Sequence, residues 1–195
     1  MFHRAWIRRI ALTVAATALA GTQLLTPAIA APAVPPPSGA GELLAHVPPE
    51  IRSSCLSATD RAAAEGWLPV GASEVQACPV DTASGTTVAF YIAFDDPAAL
   101  QAAFVAETPA PANDTCDDGN PGQIDYVQGD APETAGEMAC FQLSDGLGVI
   151  AWTHEQTRIL AILVDPQLDL AQLTHIWTSL GPVVDTDVDQ LEVPA

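Results

Sequence analysis

A chain of 195 residues carries 24 acidic side chains against six arginines and no lysine, a net charge of −18. A surface this acidic repels phosphate backbones and anionic lipid, which argues against nucleic acid and membrane surfaces as partners. It leaves a cationic partner open, with solubility in a salty exterior as the simpler reading of the charge.

Residues 1–30 read as a secretory leader. Arg4, Arg8 and Arg9 form a basic start, an apolar run covers 10–25, and Ala28-Ile29-Ala30 supplies small residues at a cleavage site. Cleavage is expected after Ala30 or Ala31. The run falls short of the ~20 apolar residues a spanning helix needs and is broken by Thr22 and Gln23. No cysteine follows it at the cleavage site to accept a lipid, so no membrane insertion is expected after cleavage. With the leader gone, three arginines face all 24 acids, a net of −21. The remainder, about 165 residues, suffices for one core.

Residues 31–41 (APAVPPPSGAG) form a Pro/Gly-rich linker, and the acidic residues 185–195 a disordered tail; one folded domain is expected over 42–184. Leu43, Leu44 and Val47 suggest a short helical turn stopped by Pro48-Pro49, and Pro49 can open a second turn. Residues 60–65 (DRAAAE) predict a helix ending at Gly66. Trp67, beside Leu68-Pro69, reads as an exposed contact residue in a loop and is the candidate binding residue.

Residues 87–94 (TVAFYIAF) alternate with period two, which predicts a strand with Val88, Phe90, Ile92 and Phe94 on one face. Asp96 caps and Pro97 opens a helix that buries Leu100 and Phe104. Residues 108–122 are loop. Short strands are expected at 124–127, 138–143, 149–154 and 159–164, with a turn at Asp145-Gly146. A last helix over 170–180, capped by Asp169 and ended by Gly181-Pro182, carries Leu170, Leu173, Trp177 and Leu180 on its apolar stripe. The fold class is α+β: a mostly antiparallel sheet, helices packed on one face, stapled by two disulfides.

Cys55, Cys78, Cys116 and Cys140 are even in number and follow an export signal, so two bridges are expected among three connectivities. Cys55 precedes the Ala77-Cys78 pair by 23 positions, and Cys116 precedes Ala139-Cys140 by 24. Each half then runs through strand into Asp-Pro and a helix. Read as a degenerate duplication, this echo selects Cys55–Cys78 and Cys116–Cys140; a crossed pairing would join the halves instead.

Three stretches invite chemistry. H-E-Q-T-R at 154–158 lies one residue from a zinc-protease signature, but its flanks are strand-like and Arg158 has no lone pair for a metal. It reads as a hairpin with Glu155 and Arg158 as a solvated pair at the turn, and no metal is assigned. Asp114, Asp118 and Asp125, with Gly119, take ligand positions of a twelve-residue calcium loop, making calcium the one cofactor candidate. Cys116 at its third position and Pro121 at its eighth depart from that pattern. No nucleophile elbow or phosphate loop is present, Ser144 sits in a turn, and His46, His154 and His175 are scattered. The chain is read as no enzyme.

L-L-A-H-V-P-P-E-I-R-S-S-C at 43–55, Q-A-C-P-V at 76–80, A-C-F at 139–141, I-A-W-T-H-E-Q-T-R-I-L at 150–160 and L-x-x-I-W-T-S-L-G-P at 173–182 resemble the small two-disulfide extracytoplasmic modules of some actinobacterial serine/threonine protein kinases and related exported proteins. The likeness covers about residues 42–182. Kinase motifs and a membrane-spanning helix are missing from this sequence, and 60–69 is extra length. The resemblance implies an accessory or sensor-like binding module of the cell envelope whose partner is an envelope protein or a small extracellular ligand. It carries over no catalytic residue. The other reading is a secreted protein inhibitor of an exported hydrolase, presenting Cys78-Pro79-Val80 or residues 109–115 as a rigid loop.

Overall fold

The computed structural model describes residues 42–82, 85–108, 116, 123–126, 134–143, 145–167 and 169–180. The segments expected to be leader, linker, tail and the 109–115 loop, with Gly181-Pro182, lie outside them.

The elements run α1 (Glu42–Ala45), α2 (Pro49–Arg52), β1 (Leu56–Ser57), α3 (Thr59–Glu65), β2 (Ala72–Thr82), β3 (Gly85–Phe94), α4 (Pro97–Glu107), β4 (Gln123–Tyr126), β5 (Gly136–Gln142), β6 (Gly148–His154), β7 (Ile159–Asp165) and α5 (Leu170–Leu180). The strands form one seven-stranded sheet in the order β1-β2-β3-β7-β6-β5-β4, with every neighbouring pair antiparallel. The α+β class, the antiparallel sheet and the two bridges are as the sequence predicts.

The helices do not share one face. Face A carries α3 and α4: Ala62, Trp67, Leu100 and Phe104 pack on Val75, Val88, Phe90, Ile92, Val149, Ala151, Leu160 and Ile162. Face B carries α1, α2 and α5: Leu43, Val47, Ile51 and Leu173 pack on Cys78, Tyr91, Met138, Cys140, Ile150, Trp152, Ala161 and Leu163. The physical reason is visible in β7, where all seven residues from Ile159 to Asp165 are buried. A strand covered on one face alternates apolar and polar; one covered on both reads as an unbroken apolar run.

Local chemistry sets the element ends. Asp96 accepts a hydrogen bond from the Ala98 amide at 2.9 Å with Pro97 in the first helical turn, so α4 is capped as predicted. At α5 the caps are reciprocal: the Gln172 amide donates to Asp169 at 2.8 Å and the Asp169 amide to Gln172 Oε1 at 3.2 Å. Gly66, at φ +69°, ends α3, and the Trp67 amide reaches back to the Ala62 carbonyl at 2.9 Å.

Strand β2 has no counterpart in the sequence reading, although it is the longest strand. Its outer edge is covered from Val75 to Pro79. Ala58 and Thr59 bond both backbone groups of Val75, β1 pairs with Gln76 and Ala77, and Ser54 donates to the Pro79 carbonyl at 3.0 Å. Proline has no N–H to leave unpaired there, which is why an edge position tolerates it. Closing an edge in this way also removes a template for pairing with other chains.

At the opposite edge, Gly136 stands across from Tyr126 in the β4–β5 register. The Tyr126 hydroxyl donates to the Thr153 carbonyl on β6 at 2.7 Å, past β5. A Cβ at Gly136 would press on Thr153, 2.7 Å from its carbonyl carbon and 2.8 Å from Oγ1. The glycine is required by this close approach.

Candidate binding groove

Residues paired across a sheet point to the same face, so the register aligns Cys78, Ala89, Leu163, Ile150 and Cys140 in one row on face B. Cys78 bonds Cys55 at the end of α2, and Cys140 bonds Cys116. The Thr174 hydroxyl of α5 donates to the Cys116 carbonyl at 2.7 Å, so the second bridge also ties down α5. Both staples thus serve the same layer. Two disulfides fit an oxidising, extracytoplasmic environment. Among the described residues no helix is long and apolar enough to cross a membrane.

The next row holds Gln76, Tyr91, Ala161, Trp152, Met138 and Ile124. Trp152 meets Tyr91 edge-on at 6.2 Å and Trp177 of α5 at 6.3 Å, and Trp177 meets Tyr126 at 5.6 Å. The Tyr91 hydroxyl and the Trp177 indole N–H are buried without hydrogen-bond partners among the described residues. Burial holds both tyrosine hydroxyls above the ordinary phenol range, with Glu155 adding to the effect at Tyr126.

Beside this aromatic layer, a groove of about 710 Å³ runs between the end of β2 and the flank of α5. Val80, Ala171, Ile176 and Leu180 supply its apolar lining. Asp81, Thr82, Asp169, Gln172, His175 and Ser179 supply polar groups. Its volume falls within the range of roughly 300–1,000 Å³ found for small-molecule clefts, and its lining mixes four apolar with six polar side chains. The sequence reading missed it, because it joins a strand it did not see to the exposed side of a helix it did.

The residues singled out from sequence fall elsewhere. Trp67 is buried, 6% exposed, and stacks edge-on against Phe90 at 6.2 Å while its indole N–H donates to Glu65 at 2.9 Å; it is a core residue of face A and not an exposed contact. The helix-ending turn at Gly66 folds the following apolar residue back onto Ala62, a signal the sequence held. Cys78-Pro79-Val80 is a segment of β2, with Cys78 and Val80 buried, and not a protruding loop. Of the calcium candidates, Asp114 and Asp118 lie outside the described residues; Asp125 is exposed in β4, opposite Glu137.

The H-E-Q-T-R stretch is a hairpin. His154 ends β6, buried, with Nδ1 2.7 Å from the Thr157 hydroxyl. Arg158 takes φ +56° and donates to the Asp95 carbonyl at 2.6 Å, so its guanidinium serves the β3 end and not a pair with Glu155.

Glu107, at the carboxyl end of α4, buries Oε2 without a partner among the described residues, and desolvation pushes its carboxyl up to about 8. An acid raised on folding favours the protonated native state, so stability falls as pH rises from the ordinary 4.5 toward 8. Glu107→Gln is expected to raise stability at pH 8 by on the order of 2 kcal/mol and to change it little near pH 4. Urea unfolding at the two pH values checks this; an equal effect at both would contradict it.

No family model, curated protein or solved structure matches the chain. Fold and cysteine chemistry define its class: an acidic, disulfide-stapled α+β domain with helices on both faces of an antiparallel sheet.

Proposed function

We propose that the chain is a secreted, non-catalytic binding or sensor-like module of the cell envelope, taking a small extracellular ligand in the groove between β2 and α5. The groove is the observation that carries this reading. The leader at 1–30, the two bridges and the likeness to extracytoplasmic kinase modules support the location and the role. The inhibitor reading loses its first loop to β2 and is not carried further.

A neutral apolar fluorophore, N-phenyl-1-naphthylamine, tests the groove. Binding should brighten it, and Ala171→Phe, which fills the groove from exposed α5, should weaken binding at least tenfold. Binding that is indifferent to Ala171→Phe contradicts the reading.

A further inference from the structure

Resting on that groove, we infer that its ligand is a small organic cation with an apolar body, such as an alkyl or aryl amine. The lining places two carboxylates, Asp81 and Asp169, beside Val80, Ile176 and Leu180, with no arginine or lysine among the lining residues. Among the described residues each carboxylate accepts one hydrogen bond, Asp81 from Thr86 at 3.2 Å and Asp169 from the Gln172 amide at 2.8 Å. A carboxylate has about four acceptor positions, so both retain capacity for an ammonium group.

The arginines that follow residue 30 are committed elsewhere, and His175 is the one lining side chain that can take up a positive charge. Arg52 donates to the Ala45 and Val47 carbonyls at 2.9 and 2.8 Å, Arg61 to Glu65 at 3.0 Å, and Arg158 to the Asp95 carbonyl. No other arginine and no lysine follows the leader. The groove therefore sits in the field of a strongly negative protein, which concentrates cations and turns anions away. The residues after Leu180 carry Asp185, Asp187, Asp189 and Glu192 and no cation, so like charge disfavours them as the occupant.

Two probes separate charge from shape. Dansylcadaverine carries a primary ammonium on an apolar fluorophore; dansylamide carries the same fluorophore without charge. At about 0.15 M salt, where long-range attraction is screened beyond about 8 Å, the amine should bind at least tenfold more tightly. Asp81→Asn with Asp169→Asn should erase that difference while keeping the helix cap, which asparagine serves as well as aspartate. Glu50→Gln with Asp60→Asn removes the same charge elsewhere and should preserve the difference. Equal affinity of the two probes for the wild type overturns the inference. So does a preference that survives the groove double variant, or one lost equally in the distant one. If both probes bind equally and Ala171→Phe expels both, the groove stands and the cation does not.

Discussion

Replacing Trp152 with alanine is expected to destabilise the protein by about 4 kcal/mol, near the middle of the range for a large aromatic removed from a packed core. Trp152 is 2% exposed at the centre of face B. It stands in register between Ala161 and Met138, with Tyr91 and Trp177 edge-on at 6.2 and 6.3 Å. Neither Tyr91 nor Trp177 can close the space cheaply. Tyr91 is fixed on β3 by strands on both sides, and the Trp177 indole N–H already lacks a partner among the described residues. Urea unfolding should show a lower midpoint at an unchanged slope, and heating a Tm lower by roughly 10 °C. A loss under about 1 kcal/mol would mean that α5 does not rest on this residue.

Losing both bridges is the larger effect. The sequence separations are 23 and 24 residues, and each closure contributes about 3 kcal/mol in the chain-entropy account. Together, about 6 kcal/mol is comparable with the whole stability of a typical domain. The four-alanine variant should therefore be unfolded, or nearly so, at 37 °C. The two single-bridge variants should differ in kind. Cys116→Ala with Cys140→Ala frees the anchor that Thr174 of α5 holds, so the Trp152–Trp177 contact should loosen and the near-ultraviolet circular dichroism should fall. Cys55→Ala with Cys78→Ala removes the tie between α2 and β2 and should leave that signal close to wild type at a similar cost in stability. Equal spectral loss in both would contradict the assignment of α5 to the second bridge.

The pairing matches the structure, but the duplication used to select it does not. Cys78 and Cys140 sit on strands of the same direction and face the same side, yet β3 lies on one flank of β2 while β6 lies on the opposite flank of β5. That relation is a mirror, and two copies of one chiral unit cannot be mirror images. The echo in spacing is not a structural repeat. Strand β7, inserted between β3 and β6, joins the halves.

What was legible had a local cause: period two in β3, the Asp-Pro cap of α4, the apolar hairpin of β6 and β7, the Asp169 cap of α5. What was missed depended on distant partners. Strand β2 buries Gln76, whose amide donates to Glu74 at 2.7 Å, and carries Pro79 at a closed edge, so its pattern reads as loop. The groove needed β2 first. Coverage of both faces was written in the unbroken apolar run of 159–164, which a sheet bare on one side would not sustain.

Mass spectrometry of the protein from its native source, digested without reduction, tests the account most directly. It should find a mature chain beginning at Ala31 or Pro32 and two cross-linked peptides, joining Cys55 to Cys78 and Cys116 to Cys140. An intact Met1 together with four unmodified thiols, or bridges that cross between the halves, would contradict it.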